Sequence, residues 1–321
     1  DECLRYLAGP EARGLSLGKF LYDRLKLSRT LVRRAKNNEG LLVDGNPTPV
    51  NYVLQGGEMI ELRVVSAVTV APEPLPLNIL YEDPYLLVVD KPAGMVVHPV
   101  KDYTGGTLVN GIAYHLLRQG EEPVTRPVQR IDRNTSGLVL FAKNPAAAGL
   151  LAKELARHKM ERQYLAFVEG VVAAEAGIVD RPIRRVWGHP VAREIAAGPR
   201  TPEQEALLAE AEAGGKVLRA EWTGSGQLAV THWQVLRRWR GATLLSLWLE
   251  TGRTHQIRVH MASLGHPLLG DELYGQAGPP GRQALHAAVL ALSHPVSGES
   301  LRFEAPLPPD LVQLMADLEQ S

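Results

Sequence analysis

The sequence predicts an α+β protein built from two domains. The chain has 321 residues, of which 45% are apolar, so it is long enough to bury two cores. Patterns typical of short helices and of strands occur in mixed order in both parts of the chain. A proline-rich stretch with neither pattern, residues 66–77, lies between them. We therefore expect a small N-terminal α/β domain over residues 13–65, a linker over residues 66–77 and a larger domain over residues 78–321.

Composition argues against several classes of protein. The sequence contains no run of about 18 apolar residues and no secretory signal pattern, so we expect a cytoplasmic protein that has no membrane partner. We also expect a monomer. Cys3 is the only cysteine, which excludes a disulfide within this sequence and argues against a thiolate metal site. The formal net charge is zero, so a polyanionic partner would need a local concentration of positive charge.

Such a concentration lies near the N-terminus. From Arg13 to Lys36 there are eight basic residues and one acidic residue, Asp23, which gives a local charge of +7. On a helix, Arg29, Arg33 and Lys36 would share one face, because they are spaced i, i+4 and i+7. A basic helix face on a small domain is typical of contact with nucleic-acid phosphates, and the alternative is a solvated helix. The candidate RNA contacts in this segment are Arg29, Arg33, Arg34 and Lys36.

Capping residues and a tight turn outline the N-terminal domain. Ser16 and Ser28 are placed to cap two helices, and Asp44-Gly45 favours a turn between strands. The predicted elements are helices at residues 17–26 and 29–38 and strands at residues 41–43 and 59–65.

The larger predicted domain contains strands and short helices. Asn144 and Pro145 mark the start of a helix that runs to about His158, because Asn is a preferred N-cap and Pro is tolerated at the first helical position. Residues 180–230 are the least regular part, with an acidic helix predicted from Thr201. This part also contains a second group of arginines, namely Arg181, Arg184, Arg185, Arg193 and Arg200. The predicted strands lie at residues 85–90, 138–142, 164–168, 231–237 and 243–249.

One carboxylate stands out by its neighbours. Asp132 lies between Arg130 and Arg133, and residues 134–137 supply turn chemistry before a strand. Two nearby guanidinium groups would favour the ionised form of the acid, which makes Asp132 a candidate nucleophile. The alternative is that Asp132 caps the turn through an Asx-type hydrogen bond while both arginines are solvated.

A second group of polar residues follows the last predicted strand. Thr254 is placed to cap a helix, so Arg253 would lie at a strand-to-helix junction, where rigid elements often present functional side chains. A guanidinium there can pair with the carboxylate of Asp132. The alternative for Arg253 and Arg258 is a structural or surface ion pair.

The other familiar site patterns are missing from the sequence. His255 and His260 are five residues apart and so would lie on different helix faces, and no His-Glu-x-x-His occurs, which argues against a metal site. Gly224-Ser-Gly226 lacks the third glycine of a nucleotide-binding loop. No serine lies in a Gly-x-Ser-x-Gly elbow.

These motifs resemble a known family. The chain is similar to the RluA/RluD-type RNA pseudouridine synthases over roughly residues 77–310, and its N-terminal part resembles the S-four-type RNA-binding domain. The family motifs occur in order at residues 91–99, 129–137, 162–166, 251–260, 265–271 and 283–287. The chain departs from the usual pattern at Gln129, where the family has histidine, and in its long segment 185–230.

The resemblance implies a fold, an activity and three roles. It implies a mixed, largely antiparallel sheet flanked by helices, and isomerisation of uridine to pseudouridine in RNA, with large-subunit ribosomal RNA as the expected substrate. Asp132 would be the catalytic aspartate, Tyr164 would pack on the flipped base and take part in proton removal from C5, and Arg253 would pair with Asp132. Arg130 and Arg258 would contact RNA. No cofactor or metal is implied.

Two other functions remain possible from the sequence. A non-catalytic RNA-binding or ribosome-assembly factor could retain the same fold, and it would not need the Asp132 carboxylate. A glycosidase acting on free nucleosides would use the same carboxylate chemistry, but it would have no use for the basic N-terminal segment.

Overall fold

A computed structural model describes most of the chain. It covers residues 2–25, 27, 32–33, 35–36, 39–64, 70–100, 103–123, 126–186, 189–196 and 226–320. The structure divides into two compact units, Asp1–Thr69 and Val70–Ser321.

Unit 1 is a four-stranded antiparallel sheet packed against short helical turns. The strands are β1 (Glu2–Leu7), β2 (Leu41–Val43), β3 (Asn46–Pro47) and β4 (Met59–Val64), in the order β1-β4-β2-β3. Ser16 caps helix α1 (Leu17–Lys19) as predicted, since its side chain accepts a hydrogen bond from the backbone N–H of Lys19. Helix α1 continues as a π-helical turn, Phe20–Arg24. The buried core includes Leu17, Leu21, Leu54, Ile60 and Leu62.

Unit 1 begins earlier than the predicted start at residue 13. Strand β1 pairs with β4 along its whole length, from Glu2 opposite Val64 to Leu7 opposite Met59, so the upstream residues complete the sheet. The predicted strands at residues 41–43 and 59–65 are confirmed, the second over Met59–Val64, and residue 65 lies outside the described residues.

The second helix predicted in unit 1 is described at four positions. Val32, Arg33, Ala35 and Lys36 have helical backbone, with Val32 and Ala35 buried and Arg33 and Lys36 exposed. This is the amphipathic pattern that the sequence predicts. Arg29 and Arg34 lie outside the described residues.

Unit 2 is built on a ten-stranded sheet. Eight strands follow the order β10-β13-β14-β9-β15-β8-β6-β5, while β16 pairs with β15 and β7 pairs with β8. Among the described strands, only β8 and β15 pair in parallel. The strands of this sheet are β5 (Asn78–Glu82), β6 (Leu86–Lys91), β7 (Arg126–Pro127), β8 (Ser136–Ala142), β9 (Glu161–Glu169), β10 (Ala176–Asp180), β13 (Val230–Arg238), β14 (Ala242–Leu249), β15 (Leu285–Ser293) and β16 (Ser300–Glu304). A separate hairpin contains β11 (Ile183–Arg185) and β12 (Arg193–Ile195).

In the described part of unit 2, four helices cover both faces of the sheet. They are α2 (Leu108–Arg118), α3 (Pro145–Ala156), α4 (Gln256–Ser263) and α5 (Pro309–Gln320). Helix α2 packs in one cluster with Val89 and α3 in another with Val88. Because successive strand residues point to opposite faces, these two helices lie on opposite sides of the sheet. The predicted α+β fold, with a largely antiparallel sheet flanked by helices, is confirmed.

Several predicted boundaries in unit 2 can be compared with the structure. Asn144 caps α3 by accepting a hydrogen bond from the backbone N–H of Ala147 at 2.9 Å, as expected. Residues 70–77 were expected to be linker, but Val70 is buried and Ala71 accepts a hydrogen bond from the Asn110 side chain in α2. The rest of the predicted linker, residues 66–69, and the acidic helix predicted from residue 201 lie outside the described residues, as does Arg200.

Candidate active site

The loop that carries Asp132 connects β7 to β8. Its turn closes where the backbone N–H of Thr135 donates to the carbonyl of Asp132 at 3.1 Å. The loop enters β8 at Gly137, whose φ of +108° favours glycine. A Cβ atom at this position would lie 2.2 Å from the carbonyl oxygen of Ala287 in β15. The close approach of these two parallel strands therefore requires glycine and fixes the end of the loop.

An arginine from helix α4 holds the carboxylate of Asp132. Nη1 of Arg258 donates to Oδ2 of Asp132 at 3.3 Å, while Nε and Nη2 each donate to the carboxylate of Asp271 at 2.7 Å. Asp271 is fully buried, whereas the side chain of Asp132 remains 24% exposed. Burial opposes the charge on Arg258, but the hydrogen bonds and negative charges of Asp271 and then Asp132 raise its pKa above the ordinary value. One permanent cation thus bridges a buried acid and an accessible acid.

Arg258, and not Arg253, makes the ion pair with Asp132. Nε of Arg253 donates instead to the backbone carbonyl of Leu228 at 2.8 Å. The predicted cap is displaced as well, because α4 begins after His255, and the Gln256 side chain accepts the backbone N–H of Arg253 at 3.0 Å. Arg258 therefore lies in the first helical turn facing the Asp132 loop. The RNA contact expected of Arg258 does not fit this position, since its guanidinium is buried and already bonded to two carboxylates.

In the described contacts, neither of the two arginines beside Asp132 in the sequence bonds its carboxylate. Arg130 is exposed. Arg133 donates from Nε to the carbonyl of Gly94 at 3.0 Å and from Nη1 to the hydroxyl of Tyr103 at 2.6 Å, with its guanidinium 5.0 Å from the centre of that ring. The positive charge in contact with Asp132 thus comes from a residue 126 positions away, and the Asp132 side chain is not used as an Asx cap in the described hydrogen bonds.

Tyr164 is part of the apolar wall beside this loop. It lies in β9, is 6% exposed, and belongs to a buried cluster that includes Leu247 and Ile257, against which Ile131 packs. Burial raises the pKa of the Tyr164 phenol, Arg162 opposes that shift, and Asp132 adds to it. The ring is therefore a neutral surface next to the residue that precedes Asp132.

His255 and Tyr274 were not found from the sequence. The guanidinium of Arg258 lies 5.0 Å from the centre of the Tyr274 ring, and the Tyr274 hydroxyl is 2.8 Å from Nδ1 of His255. His255 has a φ of +58°, an uncommon conformation for histidine, and its burial lowers the pKa of the imidazole. Tyr274 lies in an irregular segment without periodicity, so no local signal pointed to it.

A second buried arginine holds the far end of the Asp132 loop. Arg282 donates to the carboxylate of Asp310 at 2.6 Å, to the carbonyl of Asn134 at 2.9 Å and to Oγ of Ser136 at 3.2 Å. It also bonds two carbonyls in its own segment, at Gln283 and Leu285. Sequence reasoning missed this residue too.

A fully buried lysine holds the other side of the loop. Nζ of Lys91 donates to the carbonyls of Pro92, Met95 and Arg133, at 2.7, 2.8 and 3.0 Å. Burial and then Arg282 lower the pKa of Lys91 to about 7, while the negative charge of Asp132 opposes the shift. The loop is therefore anchored on both sides of its carboxylate.

The site combines an accessible carboxylate, a fixed cation and an apolar wall. Such a carboxylate can act as a nucleophile or as a base toward a neutral ring held against the wall. In the part of the chain that the structure describes, no group of three or more His, Cys, Asp and Glu side chains could hold a metal ion. None of the described helices has both the length and the apolar character needed to span a membrane.

Comparison with known proteins identifies the family. Residues 85–263, more than half of the chain, match the RNA pseudouridylate synthase family. The chain belongs to this family. The synthase is 38% identical to the uncharacterized RNA pseudouridine synthase YlyB of Bacillus subtilis, over 98% of this chain and 97% of that protein. It is also 38% identical to the ribosomal large subunit pseudouridine synthase D of Xanthomonas campestris, over 93% of this chain and 86% of that protein.

Solved structures agree with the fold of the synthase. Human RNA pseudouridylate synthase domain containing 4 has a TM-score of 0.58 and 24% identity, over 75% of this chain and 93% of that chain. Human RNA pseudouridylate synthase domain containing 1 has a TM-score of 0.55 and 25% identity, over 78% and 97% of the two chains. The expected membership of the RluA/RluD type is confirmed, and the enzyme is an isomerase that converts uridine to pseudouridine in RNA.

Proposed function

We propose that this synthase isomerises uridine in large-subunit ribosomal RNA and that Asp132 performs the catalysis. The geometry of Asp132 supports this catalytic role, because its accessible carboxylate is held by the buried guanidinium of Arg258, which also bonds Asp271. The ribosomal substrate is supported by the similarity to synthase D of Xanthomonas campestris, and a basic unit 1 suits a large structured RNA.

The isomerisation of uridine requires three changes in the substrate. The bond from N1 of uracil to C1′ of the ribose must break, the uracil must turn, and C5 must bond to C1′ while its proton leaves. Asp132 can attack C1′ or C6 of the uracil, or it can remove a proton in a glycal route. In each route Arg258 orients the carboxylate, because Nε and Nη2 of its guanidinium are fixed on Asp271.

Tyr164 provides the surface on which the flipped uracil stacks. Extruding a base from folded RNA costs a few kcal/mol, and stacking on an aromatic ring returns about 1–3 kcal/mol. The raised pKa of the Tyr164 phenol favours a protonated ring at neutral pH. This supports stacking and hydrogen-bond donation more than proton removal by Tyr164 itself.

Unit 1 supplies affinity for RNA outside the catalytic site. Arg33 and Lys36 are both exposed, whereas Val32 and Ala35 of the same segment are buried, so the two basic side chains can contact phosphates.

Replacing Asp132 with asparagine tests the catalytic proposal. We expect the Asp132→Asn enzyme to lose tritium release from RNA labelled at C5 of uridine while its RNA affinity stays near that of the wild type. The amide keeps the shape of the side chain, and Arg258 keeps its pair with Asp271. Asp317→Asn, at an exposed position in α5, is the matched control and should leave release unchanged.

Two results would contradict the proposal. Undiminished tritium release from the Asp132→Asn enzyme would remove Asp132 from the mechanism. A map of pseudouridines in ribosomal RNA from a deletion strain, identical to that of the parent strain, would remove the ribosomal substrate. The same map names the target uridine if one is lost.

A further inference from the structure

The hairpin formed by β11 and β12 contains two neighbouring cross-strand pairs of opposite character. Arg184 faces Glu194, and Nε of Arg184 donates to the carboxylate at 2.8 Å. The next pair sets Arg185 directly opposite Arg193. Side chains opposite each other on antiparallel strands have Cβ atoms about 4.5–5.5 Å apart, and like charges at such positions are destabilising. The hairpin thus has one neutral pair and one pair with a charge of +2.

No carboxylate in the described ranges pairs with either member of the Arg185–Arg193 pair. Nη1 of Arg193 donates to the carbonyls of Val191 and Ala192, at 2.8 and 3.1 Å. The side chain of Arg185 is exposed and makes no hydrogen bond or ion pair with the described part of the chain. Burial and then the charge of Arg185 lower the pKa of Arg193. The arrangement is unfavourable for the free protein and would be relieved by an anion between the two guanidinium groups.

This pair is attached directly to the catalytic site. The backbone N–H of Arg193 donates to the hydroxyl of Tyr274 at 2.8 Å, and the Tyr274 ring lies against Arg258. Asp132 is near enough to oppose the lowering of the pKa of Arg193. An anion bound by the pair would therefore lie beside the residue that attacks the substrate.

We propose that Arg185 and Arg193 form a phosphate-binding pair that holds the RNA backbone next to the flipped uridine. The proposal rests on the proposed function, because it needs an RNA substrate at Asp132. The phosphodiester is the anion that such a substrate brings, and two guanidinium groups can share its oxygens. Since the pair lies on the same hairpin that supports Tyr274, binding the phosphate places the target nucleotide at a defined distance from Asp132.

The pair predicts a specific dependence on salt. Each phosphate contact adds about 0.7–0.9 to the slope of log affinity against log salt concentration, because condensed ions are released. We therefore expect Arg185→Gln to lower that slope by about this amount and to weaken binding about tenfold. The loss should appear mainly in the half-saturating enzyme concentration and less in the maximal single-turnover rate, since the phosphate contact contributes to binding as well as to the position of the nucleotide.

The experiment uses a synthetic RNA hairpin that carries the uridine mapped in ribosomal RNA. Single-turnover tritium release is measured against enzyme concentration over a series of KCl concentrations, which gives half-saturation and maximal rate separately. The charge-matched control is Arg302→Gln, because exposed Arg302 is already paired with Glu304 and Glu161. We expect this control to keep the wild-type slope.

Neutral linkages locate the phosphate. The phosphates flanking the uridine are replaced one at a time by methylphosphonate, and at one linkage the wild-type enzyme should lose about the same affinity as Arg185→Gln loses on ordinary RNA. At that linkage the methylphosphonate should cause no further loss of affinity in Arg185→Gln. The phosphate-binding role of the pair would be refuted if Arg185→Gln kept the wild-type salt slope, or if it weakened binding further at every methylphosphonate linkage. Either result would leave the proposed function standing. Absence of release by the wild-type enzyme would instead refute the proposed function.

Discussion

Two buried arginines, Arg258 and Arg282, hold the Asp132 loop by different means. Each is 8% exposed and each bonds a carboxylate, but Arg258 bridges Asp132 and fully buried Asp271. Among the described residues, Arg282 bonds one carboxylate, that of partly exposed Asp310, and it directs its other bonds to backbone carbonyls and a hydroxyl.

The comparison separates electrostatic organisation from loop support. Removing Arg258 would leave one acid buried without compensation and would release the carboxylate of Asp132. Removing Arg282 would leave neutral acceptors and a solvated acid, which costs less because those groups carry less charge. Both arginines shape the site, but of the two only Arg258 touches the carboxylate of Asp132.

The largest effect is expected for Arg258→Met. Leaving Asp271 charged and buried should lower the free energy of unfolding by about 3–5 kcal/mol, and tritium release should be lost. Urea unfolding and release from C5-labelled RNA measure the two effects. If the Arg258→Met enzyme were active and stable, a cation other than Arg258 would orient the carboxylate of Asp132.

A double variant separates the two roles of Arg258. Arg258→Met combined with Asp271→Asn removes the uncompensated buried charge while the amide oxygen can still accept the backbone N–H groups of Leu273 and Tyr274. We expect it to regain much of the stability but none of the activity. Recovery of activity would mean that Arg258 acts only by neutralising Asp271.

A smaller loss is expected for Arg282→Met. The carbonyls of Asn134, Gln283 and Leu285 would each lose a donor, so the free energy of unfolding should fall by about 1–3 kcal/mol. Tritium release should decrease but remain measurable at a temperature where the variant is folded. A complete loss of release there would make the two arginines equivalent and end the distinction between them.

The smallest expected effect is on the pKa of Lys91, which depends on both Arg282 and Asp132. Arg282 lowers the pKa of Lys91 and Asp132 opposes that shift. Arg282→Met should therefore raise this pKa from about 7, and Asp132→Asn should lower it further. Titration of the Lys91 side-chain resonances by NMR measures both changes. Shifts in the opposite directions would show that other groups dominate the field at Nζ.

The same lysine links stability to pH. The folded protein releases the Lys91 proton near pH 7, whereas an unfolded chain keeps it to about pH 10.4. The unfolded state therefore binds more protons in this window, and the contribution of Lys91 to stability rises with pH. In Arg282→Met the rise should begin at a higher pH and be smaller in total, because a higher folded-state pKa of Lys91 lies closer to the unfolded-state value.

The strongest local signals predicted most of the elements but not the contacts between them. Asn144 was recognisable as a cap, and the apolar run at residues 138–142 as a buried strand, because both depend on neighbours in sequence. Arg253 was predicted as the partner of Asp132 from its place just before a helix cap at Thr254. The helix is instead capped one residue later, at His255, and Arg258 in its first turn bonds the carboxylate. His255 adopts a left-handed conformation there, which no local pattern indicates.

The sequence by itself determined the α+β class and the order of the motifs, since these depend on residue type, periodicity and spacing. It singled out Asp132 as a candidate through its neighbours and through the resemblance to the family. Only the tertiary structure decided which guanidinium meets that carboxylate, that Arg282 and Lys91 fasten its loop, and that Tyr274 lies against Arg258. Those contacts join residues from 16 positions apart, for Arg258 and Tyr274, to 148 positions apart, for Asn134 and Arg282. Their geometry follows from the packing of β8 against β15 and of α4 beside the loop. Side-chain chemistry can be read along the chain, but the distance between two distant charges is set by the fold.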